Sequence, residues 1–160
     1  MQQEVIGTYQ MNRGMMKQLA TTIPAERFAE MPSGINPPAW IVGHCCYASD
    51  GMLKMLGREK KCPESYTKLF GMGSTPVSEL SAYPSAEALL SLYESIGDEV
   101  VDAAGKVTAE QLAGENPVEF ARDRMPTIGG MVTFMMTMHE AMHVGQLSAW
   151  RRASGFAPLF

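Results

Sequence analysis

Apolar residues recur at a spacing of three or four in four stretches of the chain, and this pattern predicts four amphipathic helices. The first stretch runs from about Gln3 to Ala20, and the polar Asn12 interrupts its apolar stripe. The second begins at Asn36, which can cap a helix and precedes two prolines, and it continues to Gly57. A turn or short helix is expected between them, at Ile23–Phe28.

The other two stretches lie in the second half of the chain. The third opens at Ser85, a residue that can cap a helix, and ends near Gly105. The fourth runs from a cap at Thr127 to Ser154, where Gly155 ends it, and its predicted broad face comprises Ile128, Val132, Met135, His139, Met142, Gln146 and Trp150. Thr108 and Gln111 have the spacing of a capping box, which predicts one more short helix near Ala109–Leu112.

These helices together predict an all-α protein. No stretch alternates apolar and polar residues, so no strand is expected. Four amphipathic helices are typical of a four-helix bundle, which we expect to form one domain over residues 1–160. The second and third helices are joined by Arg58–Pro84, about 27 residues, which permits a crossover in place of a simple up-down-up-down order.

Composition and charge argue against several classes of function. The net charge of −4 leaves no broad basic face for nucleic acid. The longest near-apolar run, Met131–Met138, is too short to span a bilayer, and the N-terminus lacks the pattern of a secretion signal. The three cysteines Cys45, Cys46 and Cys62 form no CxxC pair, which predicts free thiols in a reducing cytoplasm.

The three histidines of this chain are its candidate functional residues. His139 and His143 stand four residues apart on the fourth helix, so both rings project from one face, as two nitrogen ligands of one metal would. His44 lies on the expected inner face of the second helix. A metal site is one interpretation of these positions. The alternatives are that His44 is simply packed in the core and that His139 and His143 are a pair on the surface. The 14 methionines are interpreted as core filling and not as a thioether site.

His139-Glu140-Ala141-Met142-His143 also spells HExxH, the zinc-binding pattern of zincin proteases. That interpretation fails on the rest of the chain. Ala149 occupies the position where metzincins carry a third histidine, and residues 144–160 contain no Asp, Glu or His. No strand is available to hold a peptide substrate. A third ligand must therefore lie upstream, where His44 is the remaining histidine.

Two blocks of sequence resemble the DinB/YfiT-like metalloenzyme family. The segment Asn36–His44, NPPAWIVGH, is similar to that family's second-helix signature, and His139–Leu147, HEAMHVGQL, is similar to its fourth-helix signature. Many members carry Arg where this chain has Val144. The resemblance implies an up-down-down-up bundle, often a homodimer, with a divalent metal, commonly zinc or nickel, on His44, His139 and His143. Relatives include S-transferases that use bacillithiol or mycothiol, and a mycothiol-dependent isomerase.

Three neutral imidazoles would leave an open coordination position on the metal. A thiol there would give S-transfer to a small electrophile, which we favour, with a low-molecular-weight thiol as cosubstrate; water there would give hydrolysis. The other alternative is a metal-binding or ligand-binding stress-response bundle without turnover.

Three further residues near the histidines are candidates for supporting roles. Glu140 is a candidate base, although its place on the helix favours an exposed side chain. Gln146 could orient His143 or bond another helix, and Tyr47 could contact a ligand or substrate or simply pack. Specificity is expected in Arg58–Pro84 and at the mouth of the bundle.

Overall fold

The computed structural model describes residues 1–159, so Phe160, the last residue of the predicted domain, lies outside the described range. Four long helices dominate that range, and it contains no strand beyond one isolated bridge between Glu115 and Thr127. In chain order the helices are α1 (Gln3–Ala20), α2 (Pro38–Met55), α3 (Tyr66–Phe70), α4 (Ala86–Lys106), α5 (Ala109–Ala113), α6 (Ile128–Phe134) and α7 (Glu140–Ala153). A π-helical segment, Met135–His139, joins α6 and α7 into one long C-terminal helix. The all-α bundle is thus confirmed.

Contacts between the long helices give their directions. α1 runs antiparallel to α4, α4 runs parallel to α2, and the C-terminal helix runs parallel to α1. These directions follow from the pairs Arg13 with Asp98, Lys17 with Glu94, Cys46 with Leu89, Arg58 with Asp102, Asn12 with Thr137, and Arg151 with Leu19. The order is therefore up-down-down-up, and the long connection after α2 is the crossover that makes it possible.

Most predicted helix ends are confirmed by their hydrogen bonds. The Ser85 and Thr127 hydroxyls accept from backbone N–H groups of the first turn, and Thr108 with Gln111 forms the predicted capping box. Two expectations are wrong by a residue: the N-cap of α2 is Pro37 and not Asn36, and α4 ends at Lys106, past Gly105. The proline at Pro38 starts α2 without a side-chain cap because its ring already fixes φ.

The π segment was not predicted, and it changes which face of the C-terminal helix is buried. A π turn holds an additional residue, which rotates everything downstream relative to a regular helix. Past His139 the buried positions are Glu140, His143, Val144, Leu147, Trp150 and Arg151, about one residue later than the predicted stripe. Met142, expected on the inner face, is consequently 50% exposed.

Asn12 supports the π segment from α1. Its side-chain amide is buried and donates to the backbone carbonyl of Thr137 at 3.1 Å and, more weakly, to that of Met136 at 3.5 Å. A π turn disturbs the regular carbonyl ladder, and a buried carbonyl needs a donor. Asn12, the polar residue that interrupts the apolar stripe of α1, is therefore required by the structure. Within the described range, no helix combines the length and apolar character needed to cross a bilayer.

Candidate metal centre

The three histidines meet between α2 and the C-terminal helix. His44 comes from α2, His139 is the last residue of the π segment, and His143 lies one turn further in α7. The Nε2 atom of His139 lies 3.2 Å from Nε2 of His44 and 3.3 Å from Nε2 of His143. One ligand atom from each ring can be chosen so that all three lie within 4.8 Å of one another, close enough to share a metal ion.

The opposite ring nitrogens are fixed by acceptors in two of the three cases. His44 Nδ1 donates to the backbone carbonyl of Phe70 at 2.7 Å, and His143 Nδ1 donates to Gln146 Oε1 at 3.0 Å. A carbonyl oxygen can only accept, so the proton of a neutral ring sits on Nδ1 and Nε2 keeps its lone pair. His139 Nδ1 is buried and has no hydrogen-bond partner among the described residues.

Local packing holds His44 in place. Gly43 leaves space for the Phe70 ring, since a Cβ at that position would overlap the ring. This close approach lets α3 present its last carbonyl to the imidazole. On the other side the Trp40 indole stacks on His44 with centroids 4.8 Å apart, and its Nε1 donates to Ser74 Oγ at 2.9 Å. His44 is thus oriented by α2 together with two parts of the long connection.

Burial keeps the cluster uncharged. It lowers the pKa of His44 despite the Phe70 carbonyl, and burial together with the neighbouring imidazoles lowers the pKa of His139 to about 3 and that of His143 to about 4. At neutral pH, His44 and His143 therefore turn Nε2 lone pairs toward Nε2 of His139, and His139 completes the set when its proton lies on Nδ1. Three neutral imidazole nitrogens at this spacing suit a divalent cation that prefers nitrogen ligands.

Glu140 does not belong to this cluster, and the expectation that it is exposed is wrong. Its side chain is 1% exposed and accepts a hydrogen bond from Tyr93 Oη in the interior of the bundle. The cause is the π segment, which turns the residue after His139 into the core. Burial raises the pKa of Glu140 to about 7, while Tyr93 and the more distant Arg13 oppose that rise.

A cavity of about 920 Å³ opens beside the cluster and includes His44 and His139 in its wall. We call it the apolar slot. Its α2 wall includes Tyr47, Ala48, Gly51 and Met55, and its opposite wall includes Met131, Phe134, Met135 and Met138. Glu140 and His143 do not line it. Six of the 14 methionines in the chain line the slot, so methionine here forms a cavity as well as a core.

The remaining predicted residues divide between the cluster and its surroundings. Gln146 makes the contact that orienting His143 requires. Tyr47 is half-buried in the wall of the slot, and Cys45 is fully buried away from the imidazole nitrogens. Cys45, Cys46 and Cys62 are all free, as predicted. Sequence reasoning missed Phe70 and Gly43; the glycine directly before His44 was the available signal for a close approach.

Comparison with known protein families gives a match over most of the chain. The sequence model of a family described as the DinB superfamily matches residues 8–147, which includes all three histidines. Among curated proteins no significant match is found.

Proposed function

The chain belongs to the DinB superfamily, and from this membership and the geometry of its histidines we propose that it is a metal-dependent S-transferase. His44, His139 and His143 are the metal ligands in this proposal. The reaction joins a low-molecular-weight thiol to a small electrophile. The observation that carries it is the convergence of the three Nε2 atoms beside the apolar slot, whose wall includes His44 and His139.

When bound, a divalent ion would supply the positive charge that removes the proton from a thiol. The protein's own residues hold the ligand set: Phe70 and Gln146 fix two rings, and Trp40 covers one face of His44. In this proposal the apolar walls of the slot hold the electrophile next to the cluster. The thiol sulfur forms a bond to the electrophilic carbon, the leaving group departs with its bonding electrons, and the thiol proton passes to solvent.

The position of Glu140 favours S-transfer over hydrolysis. A zincin-type hydrolase uses the glutamate of HExxH as a general base beside the metal. Here that carboxyl is bonded to Tyr93 in the core and does not line the apolar slot. A thiol would need no such base, because a divalent ion held by the three histidines would lower the pKa of the thiol.

Metal content after purification is the first test. We expect about one divalent ion per chain, zinc or nickel, and its loss in His44→Ala. Met142→Ala is a matched control, because Met142 lies on the same helix as two of the histidines but is half exposed. Wild-type protein that holds no metal and cannot be loaded would overturn the proposal.

Activity is the second test. Monochlorobimane, an electrophile that fluoresces after S-alkylation, is offered with a panel of thiols including bacillithiol and mycothiol. We expect acceleration with at least one thiol and none in His44→Ala. Hydrolysis of simple esters or amides without thiol acceleration would indicate a hydrolase, and metal binding without either reaction would indicate a bundle that binds without turnover. A homodimer in the cytoplasm is also part of the proposal, checked by light scattering and cell fractionation.

A further inference from the structure

The walls of the apolar slot follow α2 and the C-terminal helix away from the histidine cluster. Along α2 its wall runs from His44 to Met55, eleven residues, which at 1.5 Å per residue is about 16 Å. The facing wall runs from His139 back to Met131, about 12 Å. Because α2 and the C-terminal helix are antiparallel, Met55 and Met131 lie at the same far end. A compact electrophile would leave most of this length unfilled.

The walls of the slot are chemically suited to an apolar chain. Beyond the imidazoles the side walls present thioether, aromatic and small aliphatic groups, and Gly51 opens space midway along α2. Methionine side chains are flexible and polarizable, so they adapt to varied apolar shapes. Met72, Phe120 and Met138 are 76%, 72% and 67% exposed around the slot, which is unusual for large apolar residues unless a ligand covers them.

Two cations border the same slot. Lys60 and Arg124 line it, and within residues 1–159 neither is engaged in an ion pair. The Lys60 ammonium lies 5.8 Å from the centroid of the Tyr47 ring. Tyr47 follows His44 by one turn of α2. Asp123 also lines the slot and reduces the local charge to a net of about +1. A positive slot on a chain of net charge −4 selects for anions.

We propose that the apolar slot binds an elongated apolar molecule that carries one anionic group, with its chain along the methionines and its anion in the positive field of the two cations that line the slot, Lys60 and Arg124. A medium-chain carboxylate has this chemistry. The inference rests on the proposed function only for the claim that such a molecule is the substrate. Binding itself depends chiefly on the apolar walls of the slot, and the two cations add a smaller preference for an anion.

Calorimetry on the full-length protein with its metal tests the binding. Decanoate is compared with decanol, which lacks the charge, and with butanoate, which lacks the chain. We expect decanoate to bind at least tenfold more tightly than butanoate because of the buried chain. We expect a preference over decanol of about two- to fivefold, as for an exposed ion pair, which weakens in high salt.

Filling the slot is the decisive variant. Gly51 lines the slot, and a Cβ added there meets no atom within 4 Å, so the side chain of Gly51→Leu has room at its base and extends from the wall of the slot. Leucine also favours the helix over glycine, so the variant is expected to fold. Gly7→Leu is the matched control, because Gly7 is an exposed helical glycine of α1 with equal space. We expect Gly51→Leu to weaken decanoate binding at least tenfold and Gly7→Leu to leave it unchanged.

The charge contribution is tested by Lys60→Gln combined with Arg124→Gln, which should remove the preference for decanoate over decanol. If that preference persists, the carboxylate binds elsewhere and the inference is wrong. It is also wrong if wild type does not bind decanoate, or if Gly51→Leu binds it as wild type does. Decanoate binding without any thiol-dependent activity would refute only the proposed S-transfer, and activity on compact electrophiles without decanoate binding would refute only this inference.

Discussion

Gly43 is the position where one methyl group should disturb the metal centre without touching a ligand. Replacing it with alanine adds a Cβ that would overlap the aromatic ring of Phe70, which is fully buried and has little room to move. Phe70 also supplies the backbone carbonyl that accepts a hydrogen bond from His44 Nδ1. A shift of Phe70 therefore loosens the orientation of His44 and frees its ring to exchange tautomers.

The expected magnitude has two parts. Overpacking in a close-packed core costs about 1–3 kcal/mol of unfolding free energy. Alanine in place of glycine within a helix contributes up to about 1 kcal/mol in the opposite direction. Loss of the partner that orients a ligand lowers metal affinity about 10- to 100-fold. Gly43→Ala should thus lower the unfolding free energy modestly and lower the metal affinity more strongly.

Gly51→Ala provides the matched control. It lies on the same helix but its added Cβ meets no atom within 4 Å, so it has the helix-propensity gain without the overlap. Urea denaturation of the metal-free proteins should place Gly43→Ala about 1–3 kcal/mol below Gly51→Ala. Competition with a coloured chelator should show weaker metal binding in Gly43→Ala alone. Equal stability and equal affinity in the two variants would refute the role of this close approach.

Three other substitutions test separate parts of the structure. Gln146→Leu removes the acceptor of His143 Nδ1 and should lower metal affinity about 10- to 100-fold in the chelator assay, whereas Gln146→Glu, which still accepts, should retain it. Asn12→Leu leaves the carbonyls at the π segment unpaired and should cost about 1–3 kcal/mol in urea denaturation; unchanged stability would contradict its supporting role. Because the pKa of Glu140 is raised from 4.5 to about 7 in the folded state, this carboxyl contributes a fall in stability as pH rises through that interval, opposite in sign to the contribution of the histidines, whose pKa values are lowered. Glu140→Gln should remove this contribution, so its unfolding free energy relative to wild type should be higher at pH 8 than at pH 5 by on the order of 2 kcal/mol. Parallel pH profiles of the two proteins would show that the carboxyl does not titrate in this way.

The fold was largely predictable because its determinants are local. Apolar periodicity defined the four long helices, and caps such as Ser85 and Thr127 defined their starts. The direction of the helices depended on the length of one connection and on contacts between residues far apart in sequence. Helix α3 was not predicted, since five residues carry too little periodicity to be detected.

The histidine cluster was predictable from the sequence, and its surroundings were not. The chain has three histidines, two of them at helical spacing, so few alternatives exist to a cluster of His44, His139 and His143. Their hydrogen-bond partners come from different segments: Phe70 lies in the long connection, and Gln146 lies on the same helix as His143. The apolar slot is formed by pieces of α2, the C-terminal helix and the segment before it, so no local pattern could reveal its length.

The π segment shows that the winding of a helix, as well as the residues of a motif, determines where the side chains of that motif point. The same residues wound as a regular α-helix through Met135–His139 would rotate the following residues by about 100° relative to α6. His139 would then take the core orientation that Glu140 has now, and Glu140 would take the solvent-facing orientation of Ala141. The additional residue held in the π turn therefore decides which side chains of HExxH reach the slot.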